Sequence, residues 1–241
     1  MKNKIISKVC FFHVGESIDT PNMMVESLRL AYSGVPEVLE IIQVSSPSTP
    51  RVEGVDHFLD VPEVQGLDLM MARMHGYLKV SESFASDVAY VDTDMLFVRP
   101  IEVPVYDVDS AVLCRRSWTG NLNSDIGTPF GMIGFPEYKG KDLDSIMPYL
   151  GCFVAASGSS FWRQCWSLYQ GLDERHKRWY GDQIVLRQVS KLIRPVCVNE
   201  WTHACLPEFT GQVDRSQLVA MHYKGKRKAR MSKHLDMLKA L

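Results

Sequence analysis

No stretch of the 241 residues approaches the roughly 18 consecutive apolar residues that a membrane-spanning helix needs. The start, Met1-Lys2-Asn3-Lys4-Ile5-Ile6, is basic and then apolar, but polar and charged residues interrupt it before a signal-peptide h-region forms. The expected compartment is the cytoplasm. No excess of either charge is present: 27 basic and 28 acidic residues leave a formal net charge of -1, which gives no bulk footprint for nucleic acid. No CxxC pair occurs. The 6 cysteines (Cys10, Cys114, Cys152, Cys165, Cys197 and Cys205) are scattered, most of them in apolar runs, as reduced core thiols are. Internal repeats, low-complexity blocks and clear linkers are missing as well. The length is large for a single domain but within range.

What is present is an alternation of short β-rich runs and helical stretches, which predicts an α/β protein with a mostly parallel sheet. Lys8 to Val14 reads as a first strand, and Pro21 suits the first turn of a helix reaching about Tyr32. Strands are expected at Val38 to Val44, Val55 to Val61 and from Val88. A helix is expected over Leu67 to Ser83, with Leu69, Met70, Arg73, Met74, Tyr77 and Leu78 at helical spacing. In the second half, strands are expected at Ser110 to Cys114, Leu150 to Ala155, Ile193 to Val198 and Leu218 to His222. Helices are expected at Ser160 to Leu172 and from Asp182 to Lys191. The segment from Arg115 to Tyr149 shows little periodicity, as lids and binding loops do. From Lys224 the chain is strongly basic, and Leu235, Leu238 and Leu241 could form one apolar helical face.

Asp92-Thr93-Asp94 is the most informative motif. It closes the apolar run Val88-Ala89-Tyr90-Val91 and precedes Met95-Leu96-Phe97-Val98 and Pro100. Strand alternation would turn Asp92 and Asp94 to one side and Thr93 away. Two neighbouring carboxylates need a cation between them. A divalent metal is the reading favoured here, and a hydrogen-bonded structural pair is the alternative. His222 ends another apolar run, Leu218-Val219-Ala220-Met221, and imidazole is a common metal ligand. Gly225 permits close backbone approach, and Lys226, Arg227 and Lys228 offer donors to phosphate oxygens. A solvated tail or contact with anionic lipid accounts for the same charge run.

These residues carry a family resemblance. Tyr90 through Val98 followed by Pro100 resembles the DxD strand of GT-A fold glycosyltransferases, family 8 in particular. Ala72-Arg73 matches that family's Ala-Arg pair on the preceding helix, and Asp182-Gln183 its later Asp-Gln pair. His222, Gly225 and Lys228 reproduce its terminal spacing. The matches keep the family's order and span most of the chain. There are departures. The family's Asn-Ala-Gly segment falls near Leu150-Gly151-Cys152, without the asparagine, and Ala229-Arg230 replaces Pro-Trp. The first strand ends Phe11-Phe12-His13-Val14-Gly15.

The resemblance implies a GT-A-like, Rossmann-related sheet flanked by helices and a single catalytic domain over 1–241. Residues 1–100 would form the nucleotide-binding half, 101–223 the acceptor-side half and 224–241 a basic tail. It implies a metal-dependent hexosyltransferase that moves a sugar from a nucleotide-sugar, usually a UDP-sugar, and retains anomeric configuration. Asp92, Asp94 and His222 would hold Mn2+ (or Mg2+). The mixed oxygen and nitrogen set itself favours Mn2+. Arg73 and Lys228 would contact donor sugar and diphosphate, and the loop from His13 and Val14 to Asn22 the base. Thr93 and Gly225 complete the donor site. Asp182, after the aromatic Trp179-Tyr180, is expected on the sugar or acceptor side, although a helix N-cap role would also place an Asp there. Trp118, Asn121 and Asn123 in the irregular segment are further acceptor candidates, as are Trp201 and His203, although core packing explains Trp201 as well. The acceptor would be a glycan or a lipid-linked glycan, with the basic tail docking at a membrane. A haloacid-dehalogenase-type phosphatase would need Thr or Val where Leu96 stands, and a sugar nucleotidyltransferase a Gly-rich N-terminal loop. A non-catalytic relative that binds nucleotide-sugar or glycan remains an alternative.

Overall fold

The structure is a computed structural model that describes residues 2–62, 69–117, 143–177 and 180–240. The expected helix start at Leu67 and the residues Trp118, Asn121, Asn123, Trp179 and Leu241 lie outside the described residues, as does most of the predicted irregular segment.

A seven-stranded sheet forms the centre. Its strands are β2 (Lys8–Phe12), β3 (Glu40–Ser45), β4 (His57–Asp60), β5 (Asp87–Val91), β8 (Ala111–Arg115), β9 (Tyr149–Ser157) and β10 (Val196–Asn199). They lie in the order β10-β8-β9-β5-β2-β3-β4. Four of the pairings are parallel, but β9 runs antiparallel to both β5 and β8. The start of β9 therefore lies at the same edge as the ends of β2, β5, β8 and β10. Residues from five strands can meet along that edge.

Period-two alternation loads both faces of the sheet. Val9, Phe11, Ala89 and Val91 face one core, with Met24, Val25 and Leu28 of helix α1 (Asp19–Ala31). Cys10, Val88 and Tyr90 face the other. That second core holds Met70, Met74 and Tyr77 of α2 (Leu69–Ser83), with Phe161, Trp162 and Cys165 from Ser160–Gln170. Val185 and Val189 of Gly181–Ile193 complete it. Counting the short helix α3 (Leu143–Ile146), the last two helices are α4 and α5. Tyr77, Tyr90 and Trp162 pack ring on ring with centroids 4.6–5.0 Å apart, a geometry that adds to simple area burial.

Two small two-stranded sheets stand beside the central one. β1 (Asn3–Ile5) pairs with β7 (Glu102–Pro104). β6 (Met95–Phe97) pairs antiparallel with β11 (Ala220–His222), setting Met95 opposite His222. The strands β1, β6 and β7 are three residues each, too short for periodicity to reveal them. The expected basic tail is a folded element. A turn at Gly225–Arg230 leads into α7 (Met231–Lys239), which follows the short α6 (Glu200–His203) in helix order. Met231 and Leu235 are buried with Leu96, Leu218 and Tyr223. Tyr223 Oη meets His234 Nδ1 at 2.8 Å, and Lys239 pairs with Glu26 of α1 at 2.7 Å. All 6 cysteines are free thiols, and Cys197 alone is exposed. Burial raises the thiol pKa values of the others. No described helix is long and apolar enough to cross a membrane.

Candidate functional site

The acidic motif is a turn, not a strand. β5 ends at Val91 and β6 begins at Met95, so Asp92 to Asp94 carry the chain from one sheet to the other. Turn geometry rather than strand alternation makes Asp92 and Asp94 converge, because the chain folds back between two ladders. Asp92 N–H donates to Cys152 O at 3.1 Å and Tyr223 N–H to Asp94 O at 2.8 Å. The second bond continues the β6–β11 ladder and brings His222 beside Asp94.

One ligand atom each from Asp92, Asp94 and His222 lies within 4.8 Å of the others. His222 Nε2 is 3.1 Å from Asp94 Oδ1 and 3.9 Å from Asp92 Oδ2. A divalent cation fits this set: two carboxylates and an imidazole nitrogen converge from a fixed turn and a strand end. His222 Nδ1 is buried and has no hydrogen-bond partner. Most metal-binding histidines have an acceptor there to fix the tautomer. Burial opposes the Asp94 charge, but the His222 and Lys228 contacts outweigh it and hold its pKa down to about 2. Lys228 Nζ lies 3.1 Å from Asp94 Oδ2. It stands three residues beyond Gly225, whose φ of 59° glycine adopts without strain.

Arg73 is the hub of the other half. It projects from α2, is 8% exposed, and donates to Gly151 O at 2.6 Å. Its guanidinium is 2.7 Å from Asp92 Oδ1 and 3.5 Å from Asp182 Oδ2, and Nε reaches Tyr77 Oη at 3.2 Å. Burial alone would lower its pKa; Asp92, Tyr77 and Asp182 hold it well above the ordinary value. Asp182 lies in the first turn of α5 rather than at its N-cap, which is Tyr180. One oxygen accepts from Gln183 N–H at 2.7 Å and the other faces Arg73, so the carboxylate serves the helix end and the guanidinium together. Burial pushes its pKa up to about 6 against the pull of Arg73.

That shift has a signed consequence. The folded pKa lies above the ordinary 3.8, so the folded state holds this proton more tightly. The stability it contributes is complete below about pH 4 and is lost as pH rises through about 6. Relative to Asp182→Asn, the wild type should lose on the order of 3 kcal/mol between pH 4 and 7. Urea denaturation of both proteins across that range measures it; a flat difference contradicts the assignment.

Gly151, in the segment where the family's Asn-Ala-Gly falls, was not itself named as a candidate, yet it borders Asp182 and Arg73. A Cβ there would lie 2.0 Å from Asp182 Oδ2 and 2.8 Å from its Cγ. Only glycine lets β9 and the first turn of α5 come this close. A glycine inside an apolar strand was the available signal. Gln183 is fixed from behind by Arg116, which donates to Gln183 Oε1 at 2.8 Å and to Met147 O at 3.1 Å. Glu200, also not anticipated, is buried at the start of α6, accepts from Ser117 N–H at 3.1 Å, and lies 4.0 Å from Lys224 Nζ.

His13 and Val14 lie just beyond β2, which ends at Phe12, and Asn22 lies in the first turns of α1. They stand one strand over from the triad, because β2 neighbours β5. His13 Nε2 and Asn22 Oδ1 are buried without hydrogen-bond partners. Unsatisfied groups of this kind are rare and call for a ligand or water. Thr93 sits half-buried in the acidic turn. His203 uses both ring nitrogens inside the protein, on Thr202 Oγ1 at 2.8 Å and Glu102 O at 3.0 Å, and burial lowers its pKa to about 4. Trp201 packs edge-on against Phe209. Both have the contacts of packing residues.

No known protein-family profile matches the chain, and no curated protein sequence matches it. Solved structures do. A glycosyltransferase involved in glycosylation of the major capsid of PBCV-1 is 12% identical over 95% of this chain and 98% of its own, with a TM-score of 0.59. The galactosyltransferase LgtC, in complex with donor and acceptor sugar analogues, is 14% identical over 97% of both chains, with a TM-score of 0.56. An active-site mutant of LgtC aligns with a TM-score of 0.53 at 12% identity, over 97% of this chain and 95% of its own. End to end, the chain has the GT-A-like fold of these glycosyltransferases, as the family 8 resemblance implied.

Proposed function

We propose that this protein is a metal-dependent glycosyltransferase. It moves a sugar from a nucleotide-sugar, of the UDP type, to a glycan or lipid-linked acceptor, with retention of configuration. The observation that carries the reading is the convergence of Asp92, Asp94 and His222 at one edge of a glycosyltransferase-like sheet. Mn2+ suits the mixed donor set better than Mg2+, which prefers oxygen and water. When bound, the metal acts as a Lewis acid on the diphosphate, whose charge grows as the bond to the sugar breaks.

The chain's own groups do the rest. Arg73 adds fixed positive charge beside the developing anion, and Lys228 adds a mobile one. The carboxylate of Asp182, held by Gln183 N–H and Arg73, can accept from a sugar hydroxyl. The unsatisfied His13 Nε2 and Asn22 Oδ1 support placement of the base at the end of β2. Release of UDP from a panel of UDP-sugars, with Mn2+ and with EDTA, tests the reading. Turnover with at least one donor, abolished by EDTA, is expected. Binding of the nucleotide-sugar without turnover, with acceptors supplied, would favour a non-catalytic binding protein.

The basic C-terminal segment supports peripheral contact with an anionic membrane. Lys226, Arg230, Lys233 and Met237 are exposed. Lys226 and Arg230 line a cavity of about 400 Å³ with Glu208 and Arg227, the last two paired to each other. Each exposed cation adds about 1 kcal/mol of attraction at an anionic surface. Cutting the chain after Lys228 would strip Met231 and Leu235 from the core, so charge reversal is the cleaner probe. The triple variant Lys226→Glu, Arg230→Glu, Lys233→Glu should lose sedimentation with phosphatidylserine vesicles and keep donor hydrolysis. Equal sedimentation removes the membrane contact.

A further inference from the structure

The two carboxylates of the candidate metal site already have cationic partners from the protein. Arg73 lies on Asp92 at 2.7 Å and Lys228 on Asp94 at 3.1 Å. The two cations differ in kind. Arg73 is buried and is held as well by Gly151 O, Tyr77 and Asp182. It is a fixed part of the wall. The Lys228 side chain is 49% exposed, and Asp94 is its one ion-pair partner among the described residues. It hangs from the exposed turn that starts at Gly225, on a flexible four-carbon stem.

A dication on Asp94 and an ammonium 3.1 Å from the same carboxylate repel each other. One of them must yield, and the mobile lysine is the one that can. The balance of charge points the same way. Asp92, Asp94 and Asp182 face Arg73 and Lys228, so three carboxylates meet two cations. A divalent cation reverses the sign of that surplus, and an arriving diphosphate restores it.

We propose that Lys228 is the resident counter-ion of Asp94, displaced when a divalent metal takes that carboxylate and then free to grip the diphosphate of the donor. The proposal rests on the glycosyltransferase reading above and adds a coupling between its two ligands. Metal alone binds weakly, because it must evict Lys228. Metal and nucleotide together bind tightly, because the evicted ammonium gains phosphate oxygens. Such coupling is reciprocal: bound metal strengthens nucleotide binding by the factor by which nucleotide strengthens metal binding.

Calorimetric titration separates the two roles. Mn2+ alone, and UDP in saturating Mn2+, are titrated into wild type, Lys228→Met, Lys228→Gln and a control on the same basic segment, the exposed Lys233→Met. Both Lys228 variants should bind Mn2+ alone about fivefold more tightly than wild type, and UDP at least about tenfold more weakly. Lys233→Met should stay within about twofold on both. Wild type that binds Mn2+ and UDP while the Lys228 variants show no gain for Mn2+ overturns this inference alone. So does an equal gain in Lys233→Met, which would trace the effect to the general field. Wild type that binds neither ligand overturns the proposed function, and this inference with it.

Discussion

Arg73→Met should destabilise the protein by about 3 to 5 kcal/mol at pH 7, the usual cost of removing one partner from a buried ion pair. The substitution is close in volume, so the loss is electrostatic. Without Arg73 the Asp182 carboxylate, 6% exposed, is left with no cation, and Asp92 loses its contact at 2.7 Å. Gly151 O and Tyr77 Oη lose their donor as well. Arg73 is what holds the Asp182 pKa down against burial, so the variant should protonate Asp182 at a higher pH. Its stability defect should therefore shrink as pH falls from 7 to 5. Urea denaturation at both pH values measures this. A defect under about 1 kcal/mol, or one independent of pH, would show that Arg73 is not the hub of the site. Arg73→Lys should recover only part of the loss, because an ammonium cannot reach Asp92, Gly151 O and Asp182 with a planar fork.

Asp94→Asn should cost about 10²–10³ in turnover, the penalty for losing one electrostatic stabiliser of a developing anion. The effect on stability is separate and smaller. The Asp94 pKa is held to about 2, so its contribution is present above about pH 4 and fades as pH falls toward 2. At pH 7 the Asn variant forfeits that contribution, about 2 kcal/mol. Added Mn2+ should raise the melting temperature of wild type and leave Asp94→Asn unchanged, which separates metal loss from misfolding. An Asp94→Asn protein with wild-type turnover would remove the metal from the mechanism.

Much of this site is local in sequence, and that part was legible. The apolar run ending at Asp92, the helical spacing that places Arg73 on α2, and the apolar run ending at His222 each need only a few neighbouring residues. What brings them together is not local. Parallel and antiparallel strands share the same period-two pattern, so the reversed direction of β9 left no mark in residues 149–157. Without that direction, nothing places Gly151 against Asp182. The turn at 92–94 looked like strand because Val91 and Met95 on either side are both buried and apolar. The C-terminal segment read as a tail because Lys226 to Arg230 dominate it, while Met231 and Leu235 find their partners far away at Leu96 and Leu218. His203 shows the converse: it was an acceptor candidate, yet it is satisfied by Glu102 from a strand about a hundred residues earlier.

The central claim is that Asp92, Asp94 and His222 share a divalent ion with a nucleoside diphosphate. Crystals grown with Mn2+ and UDP, with data collected at the manganese absorption edge, test it most directly. The account predicts one anomalous peak about 2 to 2.3 Å from oxygens of both aspartates and from His222 Nε2, with diphosphate oxygens completing its shell. Manganese or UDP bound elsewhere, with Lys228 still on Asp94, would contradict it.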